Sequence, residues 1–411
     1  MSTDILQHRK ATVKLQLTEG GKALAGKCIN IKQQQHEFLF GTGGFDAVQM
    51  MGQPDGTPTS EEQKAFLAVR LDKVFSVMNY ATLPFYIGRY EPNEGQPDEA
   101  RTMAAANYFR SRGVTLKGHP LVWHTVCADW LMNYSNREIL EKLRRRIERD
   151  VSRFSGIIDK WDVINEVVIM PVFDKYDNAV TRVCREIGRV SMVREVFNAA
   201  RAANPSAVLL LNDFDLSDKY VILIDGCLQA GIPIDVIGIQ SHQHQGYWGA
   251  EKTHEILERY SQFGLPIHFT ENTIISGDIM PAHIVDLNDW QVDAWPSTPE
   301  GEERQAREIE EMYAILFSHP LVEAITAWSS VDGGWLKAPA GLLRQDNSAK
   351  PAFSMLEKKI KSEWATNASI VTGALGELSF EGFRGNYEVE CEGKKAQFTL
   401  SKDSDVIALA L

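Results

Sequence analysis

Eight short apolar runs alternate with long amphipathic helical segments between Phe38 and Trp328, and no other feature narrows the choice of fold as much. The runs lie at 38–41, 74–81, 115–122, 159–166, 207–213, 235–240, 266–271 and 323–328. They are nearly continuous in hydrophobicity, which is how strands covered on both faces by helices read. The helices between them have legible ends. Ser60 with Gln63 and Ser135 with Glu138 have the spacing of a capping box, and Thr298-Pro299 reads as a cap followed by a first-turn proline. Gly113, Gly231 and Gly264 stand where helices should stop. Eight strand-helix units in about 320 residues predict a closed (β/α)8 TIM barrel, with a doubly wound open sheet as the runner-up.

The flanks have a different texture. Residues 8–36 alternate apolar and polar side chains through Ala11-Thr12-Val13-Lys14-Leu15-Gln16-Leu17, turn at Glu19-Gly20-Gly21-Lys22, and resume around Cys28-Ile29-Asn30-Ile31. After about residue 360 the period of two returns over 377–381, 387–391 and 396–400, with Gly382 and Gly385 between. Neither segment has enough strands to bury a core by itself. The expectation is an N-terminal β segment (1–36) and a C-terminal β segment (361–411) joined into one small accessory β-sandwich beside a barrel spanning 37–360.

Charge narrows the partners. The 55 acidic residues outnumber 43 basic ones, giving a net charge of -12, which opposes the basic surface that nucleic acid requires. An uncharged polar substrate fits better. No stretch is long enough to cross a bilayer, so no membrane partner is expected. Met1 to Lys10 lacks the apolar core of a secretory signal. Cys28, Cys127, Cys184, Cys227 and Cys391 are odd in number and lack metal-ligand spacing. They read as reduced thiols in a cytoplasmic protein; a secreted chain trimmed of its signal would read the same way.

Two of the eight runs end in glutamate. Lys160-Trp161-Asp162-Val163-Ile164-Asn165-Glu166 is the fourth and Pro266-Ile267-His268-Phe269-Thr270-Glu271 the seventh, so in an eight-strand ring the carboxyls face each other across the mouth. A pair about 5 to 5.5 Å apart suits a retaining glycosidase and one about 6.5 to 9.5 Å apart an inverting one. Read singly, each glutamate could merely cap a loop or pair with an arginine. The other strand ends are also polar or aromatic: Gly118-His119 with Trp123-His124, Asn212-Asp213, Gln240-Ser241-His242 and Trp328. His242 and His244 with His119 and His124 could be read as zinc ligands, but no acidic partner set accompanies them, and neither metal nor cofactor is expected. Trp290, Trp295, Tyr247 and Trp248 fit loop packing and sugar platforms equally. The run Arg144-Arg145-Arg146, beside Glu148 and Asp150, reads as a solvated helix face.

Taken together these motifs resemble glycoside hydrolase family 10, best known for endo-β-1,4-xylanases. The resemblance spans roughly 38–351. It rests on Gly118-His119-Pro120-Leu121-Val122-Trp123-His124, Trp161-Asp162-Val163-Ile164-Asn165-Glu166, Asn212-Asp213-Phe214, Gly238-Ile239-Gln240-Ser241-His242, Thr270-Glu271, Trp328 with Asp332 and Trp335, and Lys350-Pro351-Ala352. It implies Glu166 as general acid/base and Glu271 as nucleophile. It also implies that His119, Trp123, Asn165, Gln240, His242, Trp328 and Trp335 line the sugar site. Asn165 could bond the sugar's 2-hydroxyl, and the tryptophans offer flat apolar faces to a pyranose ring. Two departures stand out. The family's Glu-Asn-x-x-Lys, which contacts sugars on the non-reducing side, is replaced by Thr82-Leu83-Pro84-Phe85-Tyr86-Ile87, and its usual aspartate two residues past the nucleophile is Thr273. His242 is then to be held by Thr273 or His244 instead.

The resulting expectation is a retaining β-glycosidase acting by double displacement on xylan or related β-linked oligosaccharides. An exo-acting or aryl-β-glycosidase of the same family is one alternative, and a barrel that binds sugar without cleaving it is another.

Overall fold

The computed structural model describes residues 3–411. Eight parallel strands form the ring: β1 (Leu39–Gly43), β2 (Tyr80–Pro84), β3 (Thr115–His119), β4 (Lys160–Asn165), β5 (Val208–Asp213), β6 (Val236–Ile239), β7 (Ile267–Ile274) and β8 (Val322–Ala327). Each pairs with its neighbours, and the β8–β1 pairing closes the barrel. The layer between the strands and the helices, where Trp161 packs on Phe85 and Phe154, is tight enough to dictate residue size. A side-chain carbon on Gly118 would lie 2.1 Å from the ring of the fully buried Trp161, so the third strand needs glycine there to let the fourth strand's indole in.

Helix ends follow the capping signals. The Ser135 hydroxyl accepts from the Glu138 amide and the Glu138 carboxylate accepts from Ser135, a complete capping box on Asn136–Arg153. Ser60 accepts from the Gln63 amide, and Thr298 from Gly301 with Pro299 in the first turn.

Two expectations need correction. The second strand does not begin at Val74, because Val74 and Phe75 complete the helix Glu61–Phe75, whose Leu67, Leu71 and Val74 share one buried face at helical spacing. The strand starts at Tyr80, so Thr82 to Pro84 lie within it rather than in the loop beyond. The arginine run is also not wholly solvated. Arg144 and Arg145 are exposed, but Arg146 is 4% exposed and donates to the carbonyls of Phe85 and Leu121, just past two strand ends, with Asp150 3.5 Å away. Arg146 falls on the helix's inner face with Leu143, Ile147 and Asp150, and the carbonyls there need donors.

The terminal segments build two four-stranded sheets. In one, Lys10–Glu19 runs between antiparallel Glu377–Phe383 and parallel Val406–Ala410. In the other, Cys28–His36 runs between Asn367–Val371 and Gly385–Cys391, with Lys394–Leu400 at the edge. Val13, Leu15, Ile29, Ile31, Phe380, Tyr387, Val389 and Phe398 form their common core. The sheets are tied to the barrel as well. Arg9 donates to the carbonyls of Phe317 (2.9 Å), His319 (2.7 Å) and Val322 (2.6 Å).

Since every long N-terminal strand pairs with a C-terminal one, we predict that removing residues after 360 destabilises the whole chain. It would uncover Val13, Leu15, Ile29 and Ile31, each worth roughly 1.5–3 kcal/mol of burial. Thermal unfolding of the truncated chain checks this. An unchanged melting temperature would show the tail to be an independent appendage.

Candidate active site

Glu166 follows β4 directly and has a positive φ of 59°, a conformation that costs a non-glycine residue of order 1 kcal/mol or more. Its amide donates to the Asn212 carbonyl (2.9 Å), which holds this turn in place. The residue is half-buried, yet its carboxyl is enclosed. Trp123 Nε1 donates to Oε2 (2.8 Å), and Gln240 Nε2 (2.9 Å) and Asn165 Nδ2 (3.3 Å) donate to Oε1. Burial dominates over these bonds and raises the carboxyl to about 8.

Glu271 lies within β7 and is 4% exposed. Asn212 Nδ2 donates to its Oε1 (2.9 Å), His242 Nε2 lies 3.2 Å from Oε2, and His119 Nε2 lies 3.9 Å from Oε1. Burial pushes this carboxyl up too, but the imidazoles of His119 and His242 outweigh it and leave it below the ordinary carboxylate range. Similar burial thus gives two glutamates opposite proton affinities because only one faces histidines.

The two carboxyls share a scaffold. Asn212 Nδ2 reaches both Glu271 Oε1 and Asn165 Oδ1 (2.8 Å), and Gln240 Nε2 reaches both Asn165 Oδ1 (3.1 Å) and Glu166 Oε1. Thr270 in turn donates to Asn212 Oδ1 (2.6 Å), which fixes the direction of that amide.

His119 does not simply line the mouth. It is 1% exposed, with Nδ1 2.7 Å from Asp162 Oδ2, and the same oxygen lies 2.6 Å from Lys117 Nζ. Lys117 and Asp162 are wholly buried, so the barrel interior carries a line of charged and polar groups leading to Glu271. Burial raises the Asp162 carboxyl, but the Lys117 ammonium and His119 reverse this and leave it below the usual range.

His242 Nδ1 lies 3.3 Å from Thr273 Oγ1, which lies 3.3 Å from His244 Nδ1, so the two expected supports act through one hydroxyl. Trp328, 8% exposed, meets His119 edge-on with centroids 5.2 Å apart. The half-buried Trp335 packs on His242 at 4.7 Å. The loop that carries it is anchored by Asp332, which takes Lys350 Nζ (2.6 Å), the Ser297 hydroxyl (2.8 Å) and the Gly341 amide (2.9 Å). His124 turns away onto Phe173. Trp295 donates to the Asp278 carbonyl (2.8 Å) with Trp290 against it, which is loop packing.

Two residues beside the carboxyls, Tyr86 and Asp213, stand in the sequence motifs without a role of their own. Tyr86 has its ring 5.4 Å from His119 and 5.7 Å from Trp123, and burial together with the Glu271 charge raises its phenol well above the ordinary value. Asp213 accepts from the amides of Val168 and Asp215 (both 3.0 Å), bracing the loop after Glu166, and burial raises it to about 7.

The family model described as glycosyl hydrolase family 10 matches residues 86–359. The chain belongs to that family. Two relatives of this family 10 member are an endo-1,4-beta-xylanase/feruloyl esterase from Xylanibacter ruminicola and an endo-1,4-beta-xylanase from Geobacillus stearothermophilus. The first is 27% identical over 47% of this chain and only 30% of that protein. The second is 27% identical over 63% of this chain and 82% of that protein. Two solved structures share the fold. A family 10 structure from Paenibacillus barcinonensis has a TM-score of 0.63 at 21% identity, covering 78% of this chain and 94% of its own. Xylanase 10B from Thermotoga petrophila, solved with xylobiose, gives 0.62 at 20% identity, covering 79% and 95%.

Proposed function

We propose that this family 10 member is a retaining β-glycoside hydrolase that cleaves β-1,4-xylan or related xylo-oligosaccharides by double displacement. The observation that carries the reading is the pair of enclosed, amide-linked carboxyls with opposite proton affinities. In the first step a Glu271 oxygen bonds to the anomeric carbon while that carbon's bond to the leaving sugar breaks, and Glu166 gives its proton to the leaving oxygen. In the second, Glu166 takes a proton from water, the water oxygen bonds to the anomeric carbon, and Glu271 is released as carboxylate. Asn165, its Oδ1 already satisfied by Asn212 and Gln240 and one N–H turned to Glu166, keeps its second N–H for the sugar's 2-hydroxyl. The substrate class rests on the xylanases among the relatives.

One observation favours a second reading, an exo-acting or aryl-β-glycosidase. Tyr86 stands against Trp123 and His119, and the adjoining Thr82 to Pro84 belong to β2, so the family's polar hooks for further sugars are absent. An aryl β-xyloside compared with soluble xylan separates the two readings. The favoured one predicts cleavage of xylan to mixed oligosaccharides, whereas release of xylose alone supports the second. Activity on neither would contradict both.

The pH dependence follows from the same two groups. Below about 8 Glu166 holds its proton, and Glu271 keeps its charge to below the ordinary carboxylate range. We therefore predict a plateau of kcat/KM on xylan between these limits, falling on the alkaline side as the acid is lost and on the acid side as the nucleophile is protonated. A profile that falls between pH 5 and 6 would contradict the assignment of Glu166.

A further inference from the structure

At the end of the barrel opposite the carboxylates, a cleft of about 950 Å³ separates the barrel floor from the sheet built around Cys28–His36. Its barrel wall consists of residues that lead into strands, such as His36, Asn79 and Val114, whereas Glu166 and Glu271 lie at the strands' other ends. The volume falls within the range of roughly 300–1,000 Å³ that small-ligand sites occupy.

The chemistry of the lining is selective. In a chain of net charge -12, Lys32, Arg112 and Lys361 line this cleft and no aspartate or glutamate does. The remaining polar lining is mostly amide. Gln34, Asn367 and Gln397 make no side-chain hydrogen bond among the described residues, whereas Gln35 is spent on the Gly113 carbonyl (2.6 Å) and Asn386 on Gln35 (3.2 Å). Two of the nearby acids are committed elsewhere, whereas Glu357, four residues before Lys361, forms no ion pair among the described residues. Glu388, the cross-strand neighbour of Lys32, is taken by Lys395 at 2.8 Å, and Glu363 by Lys359 at 2.7 Å and Lys358 at 3.1 Å. Arg112 lies over the Tyr108 ring and 3.9 Å from Asp72. Lys32 and Lys361 have no ion-pair partner among the described residues. Burial, together with the Lys32 charge, lowers the Lys361 ammonium, with Glu357 opposing this. Two ammonium groups left facing one cleft repel each other until an anion lies between them. Unspent amides offer a donor and an acceptor each, which is what sugar hydroxyls match.

We infer that this cleft is a second carbohydrate site, distinct from the catalytic mouth, that takes an oligosaccharide bearing carboxylates: amides hold the hydroxyls, and Lys32 with Lys361 hold the uronate charge. Calorimetric titration of the full-length protein with trigalacturonate tests it, since α-linkages keep that probe from turning over in the proposed reaction. Binding is expected, weakened at least tenfold by Lys32→Glu or Lys361→Glu and also weakened by Gln397→Leu, which leaves the charge intact. Maltotriose, a neutral trisaccharide, should bind at least tenfold more weakly. Turnover of an aryl β-xyloside should be unchanged in all three variants, showing that they fold and that the mouth is separate. No binding at millimolar probe, or equal binding by wild type and the lysine variants, would overturn the site. Equal affinity for inorganic phosphate would show a site for any anion and overturn its assignment to a sugar acid. Because the readout is binding far from the glutamates, it fails or succeeds independently of the proposed reaction.

Discussion

Replacing Glu271 with alanine is expected to abolish cleavage of aryl glycosides and natural oligosaccharides alike, by on the order of 10⁴-fold or more, since no glycosyl-enzyme can form from either. Glu166→Ala should behave differently. Leaving groups that need a proton should slow by on the order of 10² to 10⁴-fold, while activated aryl glycosides, which leave without one, should still glycosylate Glu271. The intermediate then waits for a nucleophile that needs no general base, so added azide should restore turnover and yield a β-glycosyl azide. The basis is the electrostatic split between the two sites, with Glu166 raised to about 8 and Glu271 held down by His119 and His242. Kinetics of both variants on both substrates, with and without azide, check it. A Glu166→Ala protein equally inactive on both substrates and giving no β-azide product would mean that the acid/base is misassigned.

The second large effect concerns stability. Asp162→Asn should cost about 3–5 kcal/mol in urea unfolding at neutral pH, because it leaves the Lys117 ammonium in a fully buried site without its counter-charge. Activity should also fall, since Asp162 orients the imidazole beside Glu271. The double variant Lys117→Met/Asp162→Asn should recover much of the stability, as no lone charge remains buried. Asp162 has a depressed folded-state proton affinity, so its contribution is present above the unfolded carboxyl's value of about 3.9 and is lost as pH falls below it. A single variant within about 1 kcal/mol of wild type would show that the pair does not hold the core together.

The barrel and both carboxylates were legible because their signals are local: apolar runs of strand length, caps at helix starts, and glutamate at two run ends. What local reading cannot see is pairing across the ring. His119 stands at a strand end like a sugar ligand, but its partner Asp162 is 43 residues away on the adjacent strand. A usable signal was present in each of two buried strands, where Lys117 and Asp162 sit as charged residues that can be tolerated only as a pair. Arg146 was misread because a run of three arginines looks solvated, although its spacing from Leu143 and Asp150 places it on the inner face. The second strand was placed too early because Val74 and Phe75 suit a helix's buried face as well as a strand. That shift also left Tyr86 without an assigned place, whereas the corrected boundary puts it two residues past the strand's end and against Trp123. The strands Asn367–Val371 and Val406–Ala410 are hard to read because three of the five residues in each are exposed and Val406–Ala410 is apolar throughout, so no alternation marks it.

The central claim is that Glu271 attacks the sugar directly, and the anomeric configuration of the first product tests it most simply. The two carboxyls are tied to one another through Gln240, Asn165 and Asn212, and direct attack by Glu271 requires retention of configuration. Proton NMR of an aryl β-xyloside digest, followed before mutarotation mixes the anomers, should show β-xylose first. Early appearance of α-xylose would mean that water attacks in place of Glu271, and would contradict the account.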